Sequence, residues 1–176
     1  MRNLAILILS ALSLGLLTAC GFAPVHGGSN LSSNSASALQ NITLIVEDGK
    51  DANDKEASFH LNQRLRDRIG VNQGAYTLTV SPSWSRGRLG ISSDDVASRY
   101  DGSLRAKYTL TDTRSGKVMN TGNVTAVSTY GASEDPYAVI ASNNNAVRNV
   151  AAEAADRIIF KLAGYFAEAD LSKTAP

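Results

Sequence analysis

The chain is short of the residues that most chemistry needs. It has one cysteine, so no intrachain disulfide is possible. It has two histidines, His26 and His60, far apart in sequence. No cluster of cysteine, histidine and acidic residues has metal-ligand spacing. There is no GxSxG and no phosphate-cradling glycine loop, and Gly87-Arg88-Leu89-Gly90 is too short to count as one. The adjacent carboxylates Asp94-Asp95 and Glu134-Asp135 point apart in a strand or loop, so neither suits acid–base catalysis. They read as loop solvation and, at Glu134-Asp135, as favourable charge before a helix. No catalytic residue, metal or cofactor is therefore expected, and a binding or structural role is favoured over an enzyme.

Long apolar runs are also missing, with one exception at the start. Met1 and Arg2 precede an apolar stretch from Leu4 to Leu17, broken only by small residues. At about 14 residues it suits a secretory leader better than a membrane-spanning helix. It ends in Leu17-Thr18-Ala19-Cys20, which resembles the lipobox of bacterial lipoproteins. Such a motif presents a thiol at the membrane surface for a diacylglyceryl group, with small residues admitting the peptidase. The expected boundaries are a signal segment over 1–19 and lipid attachment at Cys20, which palmitate-type acyl chains would anchor stably. Gly21, not Asp, follows the cysteine, which points to the outer membrane of a Gram-negative cell.

Setting aside the leader leaves 157 residues, enough for one domain with a real core. Setting aside Arg2 leaves 16 basic against 16 acidic residues, a balance that gives no footprint for nucleic acid. Residues 20–40 are rich in glycine, serine and asparagine and read as a flexible tether. A single domain is expected over 41–168, with a frayed tail over 169–176.

Within that domain, Ile42 to Val46 is a short β-rich run. Ala57, Leu61, Leu65 and Ile69 recur every four positions, one stripe of an amphipathic helix over 53–69 with Asp54 as its N-cap and Gly70 as its stop. Tyr76, Leu78 and Val80 alternate with threonines, and the strand extends to Trp84. Residues 86–101 have no clean period and read as an extended or mobile connection. Leu104, Ala106, Tyr108 and Leu110 alternate again. Asp112 to Gly116 is a hairpin turn, and the strand returning from Val118 carries Val118, Val124 and Ala126 on one face, with Gly122 as a bulge or bend. Pro136 opens a long helix whose stripe runs from Ile140 through Val147, Val150, Ala151, Ala154, Ile158, Ile159 and Leu162 to Phe166. The order β-α-β-β-β-α predicts an α+β fold: a four-stranded, mainly antiparallel sheet with two helices packed on one face.

Five basic residues, Arg86, Arg88, Arg99, Arg105 and Lys107, fall within 22 positions. Arg105 and Lys107 share a parity opposite the apolar face of their strand, so they lie on the open face of the sheet. That face is either an ordinary solvated surface or a site for an anionic ligand or acidic wall held by charge-assisted hydrogen bonds.

Several stretches together resemble the LptE family of lipopolysaccharide-assembly lipoproteins, in its alphaproteobacterial form. They are Cys20-Gly21-Phe22-Ala23-Pro24, the run Leu104-Arg105-Ala106-Lys107-Tyr108-Thr109-Leu110-Thr111-Asp112 with its turn to Gly116-Lys117-Val118, and Tyr130 to Ala141 with Pro136, Tyr137 and Ala138. The likeness covers nearly the whole chain through order and spacing. It implies a lipid-anchored subunit on the periplasmic side of the outer membrane. Such a subunit plugs and helps assemble the LptD β-barrel of the lipopolysaccharide translocon, and contacts lipopolysaccharide itself. Arg99 is the basic residue nearest to one ligand contact of the family. Another lies early in the last helix, where Ser142-Asn143-Asn144-Asn145 carries no cation, a departure from that pattern. The competing reading is a free periplasm-facing lipid- or glycan-binding lipoprotein without a barrel.

Overall fold

The computed structural model describes residues 30–69, 74–91, 97–131 and 135–174. In chain order it holds helix α1 (Asn30–Gln40), strand β1 (Ile42–Val46), helix α2 (Ala52–Arg66), strands β2 (Tyr76–Ile91), β3 (Ala97–Asp112) and β4 (Val118–Gly131), and helix α3 (Pro136–Thr174). The strands form one sheet in the order β1-β2-β3-β4. β1 pairs parallel with β2, because α2 crosses over between them, and the remaining pairs are antiparallel. The predicted α+β fold, with a mainly antiparallel four-stranded sheet and helices on one face, is what the chain adopts.

The core follows from strand parity. Leu78 and Val80, then Leu104, Ala106, Tyr108 and Leu110, then Val124 and Ala126 all face the helices and are buried. Leu61 and Leu65 of α2 meet them, as do Val147, Val150, Ala151, Ala154, Ile158 and Leu162 of α3. Each large apolar side chain removed from water contributes roughly 1.5–3 kcal/mol before entropy is counted. The alanines of α3 have almost no side chain to keep its backbone away from the sheet.

Several expectations need correction. The flexible tether expected over 20–40 is helical from Asn30 onwards. Serine and asparagine are weak helix formers, but Ala38 and Leu39 pack against the core and α1 lies against α3, so tertiary contact holds the segment. The N-cap of α2 is Asp51, whose side chain accepts from the Asp54 N–H at 2.9 Å. Asp54 is freed to accept the backbone N–H of Trp84 at 2.6 Å. A carboxylate there takes a β2 donor beyond Val80, the last residue of β2 paired with β1. The C-cap of α2 is Asp67, while Gly70 lies outside the described residues.

The connection expected over 86–101 is mostly strand. Arg86 pairs with Gly102, and Leu89 with Arg99. Residues 85–89 are exposed on both faces, so they carry no apolar alternation to read. Asp94 and Asp95 lie outside the described residues. The bulge in the returning strand is not at Gly122. The register shifts between Leu110 and Thr111, and Val118 turns outward, 53% exposed. Gly122 instead leaves room for the phenol of Tyr108, whose Oη would lie 2.5 Å from an added Cβ. Burial pushes the Tyr108 hydroxyl pKa above its usual value. In α3, Ile140 lies off the buried stripe, and the helix continues through Thr174 where a frayed tail from residue 169 was expected.

The hairpin turn behaves as its residues require. Gly116 has φ 69°, a left-handed conformation that glycine adopts without strain. One carboxylate oxygen of Asp112 accepts from the backbone N–H of Ser115 at 2.7 Å, from the Ser115 hydroxyl at 2.8 Å and from the backbone N–H of Arg114 at 3.1 Å. These bonds, the Ser115 backbone donor first, hold the carboxyl below the ordinary range.

A pKa lowered on folding contributes stability that is complete above the unfolded value and is lost as pH falls through the folded one. The gap in urea midpoint between the wild type and Asp112→Ala should therefore be present at neutral pH and narrow under acid conditions. Gly102 carries the ring of Trp84 where a Cβ would stand. Gly102→Ala should cost about 1–3 kcal/mol, read by urea titration of the fluorescence of Trp84, the only tryptophan.

Candidate functional site

The five cations do not form one patch. Arg105 and Lys107 lie on the uncovered face, two positions apart on β3. They are flanked by Ser83 and Ser81 on β2 and by Thr125 and Asn123 on β4. Arg99 shares their parity but lies about 20 Å away along the strand, at 3.3–3.4 Å per residue. Between them stands Asp101, which accepts the Thr129 hydroxyl at 2.6 Å. None of the ion pairs among the described residues involves Arg99, Arg105 or Lys107. The open face is thus rich in serine and threonine hydroxyls and carries two adjacent cations that form no ion pair among the described residues, while Glu47 accepts the hydroxyl of Ser81 beside Lys107 at 2.6 Å. Such a surface can hold an anion through charge-assisted bonds without any pocket.

Arg86 and Arg88 have the opposite parity, on the helix side of the sheet, and are exposed. The Arg86 guanidinium lies 5.0 Å from the centre of the Tyr100 ring. Tyr100 stacks on Tyr130 with centroids 5.6 Å apart. The Tyr130 hydroxyl donates to Asn143 Oδ1 at 2.9 Å, and Asn143 donates to Asn53 Oδ1 at 3.3 Å. This chain joins β2, β3, β4, α3 and α2 at one end of the domain. Asn143 is one of the neutral residues at the start of the last helix, and its role here is to orient a tyrosine. Tyr130 was legible only as part of a resemblance. Tyr100, Asn53 and Asn143 gave no signal, because their partners come from distant elements.

A third feature had no sequence signal. The free edge of β4 and the flank of α3 enclose an open groove of about 830 Å³, lined by Asn123, Thr125, Glu153, Arg157, Phe160 and Lys161 among others. Elsewhere, His60 lies 3.8 Å from Glu56 one turn earlier and edge-on to Phe59, which is an ordinary helix-surface arrangement. Asp135 accepts the Tyr137 N–H at 2.9 Å, so it caps α3. Cys20 and His26 lie outside the described residues. No helix among the described residues is long and apolar enough to cross a membrane.

Comparison with known proteins places this geometry. The model of the family LptE, described as Lipopolysaccharide-assembly, matches residues 42–162, which covers the whole sheet, α2 and most of α3. No curated protein sequence matches the chain. Among solved structures, a lipoprotein of Caulobacter crescentus superposes with a TM-score of 0.58 at 24% identity, over 77% of this chain and 97% of that one. A minor lipoprotein of Acinetobacter baumannii gives 0.55 at 14% identity, over 72% of this chain and 92% of that one. The rare lipoprotein B of Shewanella oneidensis gives 0.51 at 17% identity, over 74% of this chain and 98% of that one. At these identities the structures establish a shared fold.

The two cation sets differ in what they touch, and stability measurements should separate them. Tyr130→Phe removes a part-buried hydrogen bond and should cost about 1 kcal/mol. Arg105→Ala with Lys107→Ala should stay within about 0.5 kcal/mol of the wild type, as surface changes usually do. Urea denaturation of the three proteins checks both values.

Proposed function

Because the chain belongs to the LptE lipopolysaccharide-assembly family, we propose that it is the lipoprotein subunit of an outer-membrane lipopolysaccharide translocon. In that role it plugs and helps assemble an LptD-type β-barrel and contacts lipopolysaccharide through the open face of its sheet. It works by binding, with no catalytic step. The leader is removed after Ala19, and Cys20 carries the lipid on the periplasmic side of the outer membrane.

The family match across residues 42–162 carries this reading. The shape of the domain supports it. One sheet face is sealed by helices, and the other is free, hydroxyl-rich and positively charged at Arg105 and Lys107. Lipid A and inner-core sugars present phosphates and hydroxyls, which this face complements. The start of α1 at Asn30 also shortens the leash expected between Cys20 and the domain. Ten residue steps span at most about 35 Å when fully extended. A lipid on Cys20 would thus keep the domain close under the membrane, at the periplasmic mouth of a barrel.

The full-length chain, extracted from outer membranes in detergent, should co-purify with a β-barrel protein. A clean preparation that contains no barrel removes the translocon reading. It leaves the alternative of a free lipid- or glycan-binding lipoprotein, which the open cationic face would also suit. Binding of purified lipopolysaccharide distinguishes the two faces. Arg99→Ala/Arg105→Ala/Lys107→Ala should weaken affinity at least about tenfold, the loss of about 1.4 kcal/mol. The loss should be greater at low salt. Arg86→Ala/Arg88→Ala, on the opposite face, should leave affinity within a factor of about two. The reverse ranking would move the contact to the tyrosine-stacked end of the domain.

A further inference from the structure

Strand β4 is 14 residues long and lies at the edge of the sheet. An edge of that length offers a row of outward N–H and C=O groups to any second strand, and proteins blunt such edges. Here the blunting comes from α3. Arg157 donates through its guanidinium to the outward carbonyl oxygen of Thr125. Lys161 Nζ, one helical turn on, donates to the outward carbonyl oxygen of Asn123 at 3.0 Å. Glu153, one turn earlier, holds the guanidinium of Arg157 at 2.6 Å. Three residues at i, i+4 and i+8 therefore form one row along the helix flank that faces the strand edge.

We propose that Arg157 and Lys161 guard the β4 edge, and that the surface they guard fits a second copy of this chain added strand to strand. Antiparallel β4–β4 pairing about a twofold axis is self-complementary, because each edge presents the same alternation of donors and acceptors. The two carbonyls that the cations occupy lie in the middle of β4, so such a ladder could not form without displacing them. Phe160, 80% exposed beside the groove, and Val127, 52% exposed on β4, would supply apolar contact area to the incoming copy. Charged side chains at the edge thus keep the domain single while leaving the open face of the sheet clear.

The test is the mass of the full-length chain in detergent, measured by light scattering across a concentration series. The wild type should remain a monomer. Arg157→Ala/Lys161→Ala should roughly double in mass at micromolar concentration. Arg157→Met/Lys161→Met should do the same while keeping the unbranched stems, so that lost helix packing does not explain the change. Adding Asn123→Pro to either pair should restore the monomer. Proline removes an outward donor and is tolerated at a strand edge. A folded, monomeric protein in either cation-free pair overturns the proposal. Association that Asn123→Pro does not relieve also overturns it, because the contact would then not be strand addition. Oligomeric state is read without lipopolysaccharide or a barrel, so failure here and failure of the translocon reading are distinct results.

Discussion

The contact between α3 and the sheet organises the rest of this domain. A helix of 39 residues lies against β3 and β4 along a stripe that alternates alanine with branched aliphatics, from Ala146 to Leu162. The alanines bring the backbones close, and Val147, Val150, Ile158 and Leu162 fill the space beside them. Because α2 and α3 take the even-numbered residues of β2, β3 and β4, the odd-numbered residues are left to water, except Met119 at the register shift, which packs against the core. The same contact therefore defines the hydrophobic core, the hydroxyl-rich outer face and the position of α3 next to the β4 edge.

Two consequences follow for how charge is arranged. Side chains that are near in sequence but of opposite parity are sent to opposite sides of the sheet. Arg105 and Lys107 stand together on the open face, whereas Arg86 joins the Tyr100–Tyr130 stack on the other. Two cations of α3 serve neither face. Arg157 and Lys161 reach sideways to strand carbonyls, while Arg64 of α2 lies 3.2 Å from Asp156 of α3 and ties the two helices together. That bridge is half exposed and contributes little stability by itself. The rotation of α3, and so the flank that meets β4, is set by its fully buried stripe from Val147 to Leu162.

The ends of β1 and β2 show how local chemistry substitutes for missing structure. β1 is five residues long, so β2 outruns its partner. Asp54 supplies an acceptor to Trp84 in place of a neighbouring strand, and Asp51 takes over the capping of α2. Beyond that point residues 85–89 of β2 are exposed on both faces. It is there, and not in the covered core, that sequence periodicity fades.

The features that depend on near neighbours can be read along the chain without its fold. The alternation of Leu104, Ala106, Tyr108 and Leu110, the four-residue spacing of Ala57, Leu61 and Leu65, the Asp112–Gly116 turn and the proline at the start of α3 all follow from local geometry. Together with the order of elements they were enough for the α+β architecture and the family. Tertiary structure decided what depends on register and packing. It separated five neighbouring cations between two faces, since a one-position shift along a strand turns a side chain to the other side. It made a helix of a serine- and asparagine-rich segment by placing Ala38 and Leu39 on the core. It also brought Arg157 and Lys161 onto the edge of a strand more than 30 positions earlier in the chain. No local pattern encodes that last contact, because its acceptors are main-chain carbonyls, which every residue carries alike.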